Sequence, residues 1–313
     1  MPRRLDDYEW TKSHVSQLMA LGQICVGHQP EVYNEFGAWT ALKLCALKNY
    51  VDIYTRIMDD KRLHRLGFNG RAYLDVFAGS GVDLIRETGT PLAGSTPTAA
   101  NFHYDGRPFH EFYAVEIKRE FCEALKERMA KFVSNDHLHV VRGNADEKIG
   151  QVIDDIESKN MHYLAFIDYE GIKGFGWENL ELLLQKKGDL WITFICPGLA
   201  RVQGRARWSS ADEETLANMV GWDVVKKSED LDDLMRNFIQ KLRRYRKNVV
   251  EMFVRSGEGY YYELIFATRE TQGGSGYVTS VENLKKRLAS TSGDFVQHAV
   301  RVLEGKAKDL NGF

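Results

Sequence analysis

Apolar residues occur in short continuous runs through the middle of the chain and at helical spacing on either side of those runs. The runs predict strands at residues 71–75, 110–116, 137–142, 163–168 and 189–195. Tyr163-Leu-Ala-Phe-Ile-Asp168 is apolar almost throughout, as a parallel strand buried on both faces must be. Helical spacing predicts an amphipathic helix over 38–58, where Leu42, Leu44, Leu47, Tyr50, Val51 and Tyr54 recur between Lys43, Lys48, Asn49 and Asp52. Further helices are predicted at 119–133, 180–184, 211–219, 231–247, 281–288 and 296–303. Residues 248–255 and 260–269 flank Ser256-Gly-Glu-Gly259 and predict a hairpin. Two stretches give no regular pattern: the segment through Pro30, and residues 83–109, whose Gly89, Pro91, Gly94, Pro97, Gly106 and Pro108 predict a long irregular loop.

Strands alternating with helices and then a hairpin predict an α/β protein: a mostly parallel, Rossmann-like sheet flanked by helices, closed by a C-terminal antiparallel hairpin. With no repeat or low-complexity linker, the expectation is a single domain over 1–313. It comprises a helical extension (1–60), a core (71–270) holding the 83–109 loop, and a helical tail (271–313).

Composition narrows this little. The net charge of -2 gives no overall basic signal, so nucleic-acid binding would need a local basic face. No apolar run approaches the roughly 18 residues of a membrane helix, and the start lacks a signal-peptide core, so a cytoplasmic protein is expected. Cys25, Cys45, Cys122 and Cys196 are scattered with no C-x-x-C pair, which predicts reduced structural thiols and no metal site.

Candidate chemistry gathers at the predicted strand ends. The first strand runs into Asp75 and then Val76-Phe77-Ala78-Gly79-Ser80-Gly81, a turn where backbone can approach a ligand closely. A dinucleotide turn G-x-G-x-x-G would place a third glycine where this chain has Leu84. The second strand ends at Glu116-Ile117; in Rossmann-like folds an acid there accepts hydrogen bonds from a ribose. The third strand turns through Gly143-Asn144-Ala145-Asp146, with Asp146 expected as the cap of the next helix. His137 and His139 alternate with apolar residues and are expected to face outward, without a carboxylate at a convincing spacing. The fourth strand ends in Asp168-Tyr169-Glu170-Gly171.

Asp-x-Phe-Ala-Gly-x-Gly resembles motif I of the class I S-adenosylmethionine (SAM) methyltransferases. The resemblance implies SAM as cofactor, with Asp75 answering its ammonium group and Phe77, Ala78, Gly79, Ser80 and Gly81 admitting its sulfonium chain. It further implies Glu116 and Ile117 at the ribose, and Asn144 with Ala145 at the adenine. Asp168 would position the methyl acceptor; Glu170 is either a second acceptor or a solvated loop acid. Lys43, with Trp39 and Thr40, either lies near the cofactor or is an ordinary solvated helix residue.

The whole order resembles the three-Cys-motif partner protein family. The likeness is carried by Trp39-Thr40 with Lys43-Leu44 and Tyr50, by Tyr73 to Gly81, by Gly94-Ser95-Thr96-Pro97 with Ala99-Ala100, by Glu116, by Gly143-Asn144-Ala145, and by Phe166-Ile-Asp168 with Gly171 and Trp177. It implies a methyltransferase-like protein, Ser95 among its cofactor residues, and a neighbour-encoded partner bearing three cysteines. Two departures stand out: Thr96 is inserted into Gly-Ser-Pro, and Tyr169 replaces the proline of Asp-Pro-x-Gly. A macromolecular acceptor such as nucleic acid could be tracked by Arg243, Arg244 and Arg246, extended by Arg201, Arg205 and Arg207. The alternative is a solvated helix face. For the protein as a whole, the alternative to an enzyme is a SAM-binding module that assists the cysteine-bearing partner.

Overall fold

The computed structural model describes residues 6–27, 29–168, 175–195, 208–255, 261–269 and 275–309. In chain order, α1 (Asp7–Val26) leads to a short strand β1 (Asn34–Phe36), then α2 (Thr40–Ile57) and α3 (Asp60–Arg65). Next come β2 (Gly70–Asp75), β3 (Val82–Ile85), β4 (Thr90–Ala93) and α4 (Ser95–Asn101). The middle of the chain alternates β5 (Glu111–Glu116), α5 (Arg119–Met129), β6 (Leu138–Arg142), α6 (Ala145–Ser158), β7 (Met161–Asp168), α7 (Trp177–Gln185) and β8 (Gly188–Ile195). Helices α8 (Ser210–Val220), α9 (Trp222–Val225) and α10 (Leu231–Tyr245) precede the strands β9 (Asn248–Arg255) and β10 (Tyr261–Thr268). Helices α11 (Ser275–Ala289) and α12 (Gly293–Leu303) follow.

Seven strands form the main sheet in the order β6-β5-β2-β7-β8-β10-β9. The first five run parallel, and β10 is antiparallel to both β8 and β9. This is the Rossmann-like arrangement with a C-terminal antiparallel pair that the order of runs predicted. Alternation along the central strands divides the interior in two. Tyr73, Leu164 and Phe166 face a core completed by α1, α2, α11 and α12, whereas Leu74, Ala165 and Ile167 face one completed by α6, α7, α8 and α10. Arg71 tolerates full burial in β2 because its guanidinium reaches the carbonyls of Met58 and Pro108 and the carboxylate of Asp60, each at 2.9 Å.

Several expectations are corrected. The segment before Pro30 is a 20-residue helix capped by Asp6, whose side chain accepts from the Glu9 amide. Its buried face mixes Val15, Leu18 and Cys25 with Thr11 and Gly22, which blurs the apolar period. A Cβ on Gly22 would lie 2.7 Å from the Leu92 backbone, so this face is shaped for close approach. Residues 83–109 are not irregular throughout: β3 pairs with β1 on one side and β4 on the other in a second, three-stranded sheet, and α4 follows. Pro91 sits on the edge strand and Pro97 in the first turn of α4, two places where the missing amide is tolerated. The helix predicted over 119–133 ends at Met129.

Candidate functional site

Three strand-end acids share one face. Asp75 is opposite Ala114 on β5 and Phe166 on β7, so Glu116 and Asp168, each two residues further on, point to the same side. Beyond Asp75 the chain stays pinned between its neighbours, the Val76 amide donating to the Phe166 carbonyl and the Ala78 amide to the Val115 carbonyl, both at 3.0 Å. It then turns through Gly79 at φ 61° and Gly81 at φ 82°, left-handed values that disfavour any side chain. The turn feeds β3, not a helix. That explains Leu84, because the third glycine of a dinucleotide motif serves the packing of a helix that does not exist here.

The turn is held from three sides. Glu116 accepts from the Gly79 amide at 3.0 Å and the Lys118 amide at 2.8 Å. Asn34 accepts from the Ser80 amide at 3.1 Å, and buried Arg128 donates to the Ser80 carbonyl at 2.7 Å and to the carbonyls of Gln29 and Val32. A Cβ on Gly79 would stand 2.8 Å from the Asn34 oxygen. Neither Asn34 nor Arg128 was singled out by the sequence reading.

Asp75 is fully buried. One of its oxygens accepts from Thr96 at 2.7 Å and from Tyr73 at 3.4 Å; the other finds no hydrogen-bond partner among the described residues. Burial pushes its pKa up to about 6, partly offset by the hydroxyls of Ser95, Thr96 and Tyr73 and reinforced by the nearby charge of Asp168. Thr96, a mere departure in the sequence pattern, is thus a hydroxyl donor to one oxygen of this carboxylate. Across the site, Lys43 is buried and ion-paired with Asp168, its ammonium 5.3 Å from the centre of the Phe36 ring. The reading of Lys43 as a solvated helix residue is therefore overturned. The second oxygen of Asp168 is also buried and has no hydrogen-bond partner among the described residues. Tyr262 of β10 packs against Trp39, the ring centres 4.9 Å apart and tilted by 49°, and donates to its carbonyl. Between Lys43, Asp168, Phe77, Ala78, Gly79 and Ser95 a cavity of about 20 Å³ remains, roughly room for a single water.

A larger cavity of about 250 Å³ opens on the other side of Phe77, lined by Glu116, Ile117, Gly143, Asn144 and Ala145. Ile117 is 61% exposed, an apolar side chain held out at the cavity's edge. Asn144, not Asp146, is the N-cap of α6, its side chain accepting from the Asp146 amide at 3.0 Å. Asp146 instead reaches α7, accepting from the Gly176 amide and the Asn179 side chain, both at 2.8 Å. The reason is the position of Asn144: it keeps extended backbone, whereas Asp146 is already one residue inside the helix.

Other expectations fare differently. Glu170, Tyr169, Arg201, Arg205 and Arg207 lie outside the described residues. Arg246 cannot track phosphates: it is fully buried, donating to the carbonyls of Leu183 and Lys186, and desolvation lowers its pKa to about 10. Arg243 is exposed but pairs with Glu251 at 3.4 Å, and Arg244 is exposed. His137 and His139 do have a carboxylate, Glu111, reached across the β5–β6 register. Lys159 joins them at 3.1 Å, and no group of metal-ligating side chains suited to an ion occurs among the described residues. Cys25, Cys45 and Cys122 are free and buried, and burial pushes the Cys25 thiol up to about 11. No helix among the described residues is long and apolar enough to cross a membrane.

No protein-family model and no curated protein matches the sequence. Solved structures with a similar course of chain include an O-methyltransferase from Bacillus cereus in complex with SAH, at 12% identity, covering 83% of this chain and 90% of that one with a TM-score of 0.42. The N-terminal domain of human METTL16 in complex with SAH is similar at 14% identity over 74% and 71% of the two chains, TM-score 0.40. The O-methyltransferase TomG from Streptomyces achromogenes in complex with SAM is similar at 13% identity over 72% and 90%, TM-score 0.39.

Proposed function

We propose that this protein is a SAM-dependent methyltransferase of the class I type, acting on a macromolecular acceptor that Asp168 positions. The observation that carries the reading is the fully buried Asp75 carboxylate, with one oxygen unpartnered among the described residues, at the foot of a left-handed glycine turn and near the Lys43–Asp168 ion pair. With Lys43 paired to Asp168, the buried Asp75 carboxylate is left without a cationic partner among the described residues, a deficit that a ligand carrying an ammonium makes good. The fit extends outward. Glu116 already binds two backbone amides and has lone pairs left for ribose hydroxyls, and the cavity beside Ile117 and Ala145 is lined for a flat heterocycle. When bound, SAM would supply a methyl group already activated for in-line displacement. The chain's own residues then hold the acceptor in line and take up its proton where it has one.

The roughly 20 Å³ beside Lys43 does not admit the amino-acid end of such a ligand as it stands. We read Lys43 as turning from Asp168 when the site fills, leaving that carboxylate for the acceptor. The same ion pair is what favours the second reading, a SAM-binding module assisting a cysteine-bearing partner, in which Asp168 stays locked and transfers nothing. Within the class, the three-Cys-motif partner family is the narrower assignment supported by Tyr73 to Gly81 together with Gly94-Ser95 and Gly143-Asn144-Ala145.

Calorimetry with SAM, followed by labelled-methyl transfer on mixed DNA, RNA and protein, tests both readings. Asp168→Asn is expected to leave SAM affinity within a few-fold and to lower transfer by about 100-fold. Full transfer by that variant would refute the acceptor role, and absence of SAM binding would refute the cofactor.

A further inference from the structure

The glycine turn after β2 has little within its own sequence to hold it. Gly79 and Gly81 flank Ser80 at left-handed φ, and a peptide unit beside glycine rotates at small steric cost. The one local tie is the Ser80 hydroxyl, which donates to the Val82 carbonyl at 3.1 Å. Successive peptide units are fixed instead by different elements. Glu116 of β5 accepts from the Gly79 amide, and Asn34 of β1 accepts from the Ser80 amide. Arg128 of α5 donates to the Ser80 carbonyl, and the Gly94 amide, just before α4, donates to the Gly81 carbonyl at 3.0 Å.

Among these side chains Arg128 reaches furthest. It is fully buried, and while its Nη1 serves Ser80, its Nη2 donates to the carbonyls of Gln29 at 2.9 Å and Val32 at 2.6 Å. Gln29 and Val32 belong to the connection between α1 and β1, 99 and 96 residues away in sequence. Asn34, two residues beyond Val32, opens β1, which pairs in parallel with β3, the strand that the turn feeds. The two side chains therefore tie one connection to both sides of Ser80. Packing alone would be served at less cost by an apolar side chain, because a buried guanidinium must have its donors used. What the guanidinium adds is direction: two nitrogens in one plane, each aimed at a different segment.

We propose that Arg128 and Asn34 are positioning residues of the cofactor site, which set the peptide units around Ser80 for the ligand and make that setting depend on the docked α1–β1 connection. Neither has to touch the reacting atoms. Asn34 and Gly79 line the same small cavity beside Lys43, so a rotated Ser80 amide would change the wall that meets the amino-acid end of the ligand. Affinity scales with the fraction of molecules whose turn is set, so a turn set in about a tenth of them binds about tenfold more weakly. The inference rests on the methyltransferase reading for the identity of the ligand, whereas the state of the turn can be read without any ligand.

The test compares Arg128→Lys, which offers one nitrogen where two are used, with Arg246→Lys. Arg246 is equally buried but serves the carbonyls of Leu183 and Lys186, at the opposite edge of the sheet, where β8 begins. Hydrogen exchange of the ligand-free protein and calorimetry with SAM are read on both variants, with urea unfolding to compare their stabilities. Arg128→Lys is expected to speed exchange at Ser80 and Gly94 by about tenfold or more and to weaken SAM binding by a similar factor. Arg246→Lys should lose stability and leave both readings at the wild-type value. Asn34→Ala withdraws the acceptor of the Ser80 amide and should speed exchange at Gly94 and weaken SAM binding several-fold, which decides the matter if Arg128→Lys does not fold. Turn amides that exchange no faster than in Arg246→Lys, or loosened amides with unchanged SAM affinity, would overturn the proposal. If the wild-type protein binds no SAM, the cofactor reading falls on its own, and exchange at Ser80 and Gly94 still decides whether these side chains set the turn.

Discussion

Asp75 makes cofactor binding sensitive to pH in a direction that the geometry fixes. Its side chain is fully buried, one oxygen lacks a partner among the described residues, and its pKa is raised to about 6. A cationic ligand prefers the ionised form, so below pH 6 binding must expel a proton. The apparent dissociation constant then grows by the factor 1 + 10^(6 − pH). That is about 11 at pH 5 and about 1.1 at pH 7, a roughly tenfold loss of affinity across the window. An α-ammonium group keeps its own charge below about pH 7, so the ligand contributes little to this slope. Stability without ligand runs the other way. The folded state holds this proton more tightly than the unfolded chain does, so the contribution of Asp75 to stability is greatest at acid pH. It falls between about pH 4 and 6 by up to about 3 kcal/mol. Calorimetry of SAM binding between pH 5 and 7, in buffers of different ionisation heat, reads both affinity and proton release. Near pH 6 about half a proton should leave on binding. Thr96→Val removes the 2.7 Å hydrogen bond that lowers this pKa and should move the window to higher pH. Asp75→Asn should abolish the slope. A wild-type affinity flat from pH 5 to 7, or a slope that persists in Asp75→Asn, would show the reasoning to be wrong.

Other consequences are as specific. Gly79→Val should eliminate SAM binding in a folded protein, since φ 61° and the Asn34 oxygen 2.8 Å from a new Cβ leave the side chain no place; unchanged affinity in calorimetry would contradict this. Glu116→Gln replaces one of two amide-binding oxygens by a donor, which should weaken SAM binding by about 1 to 3 kcal/mol and speed hydrogen exchange at Gly79 and Lys118. Lys43→Met leaves the part-buried Asp168 without its partner and should destabilise by about 3 kcal/mol in urea unfolding. Adding Asp168→Asn should recover most of that loss, and additivity of the two changes would deny the coupling. Arg246→Lys keeps the charge but withdraws the Nη2 that donates to two carbonyls, so stability should fall by about 1 to 3 kcal/mol with no change in RNA binding.

The sequence by itself determined the parts of this protein that depend on local pattern. Continuous apolar runs mark strands buried on both faces, and an acid at the end of a run can only sit at a strand's carboxyl edge. Asp75, Glu116 and Asp168 were therefore legible as a group, as were the glycines that turn left-handed. Periodicity reports burial, however, and is silent about partners. That Asn34 would hold the Ser80 amide from 46 residues away, that Lys43 would meet Asp168 from 125 away, and that Thr96 would cap Asp75 depended on how α2, β1 and α4 pack against the sheet. Dense glycine and proline look alike whether they interrupt a loop or bound short strands, which is why residues 83–109 hid a sheet. A basic run likewise cannot tell which of its arginines faces inward. Only the packing of α10 against α7 decided that Arg246 would be the buried one, placed where it donates to the carbonyls of Leu183 and Lys186.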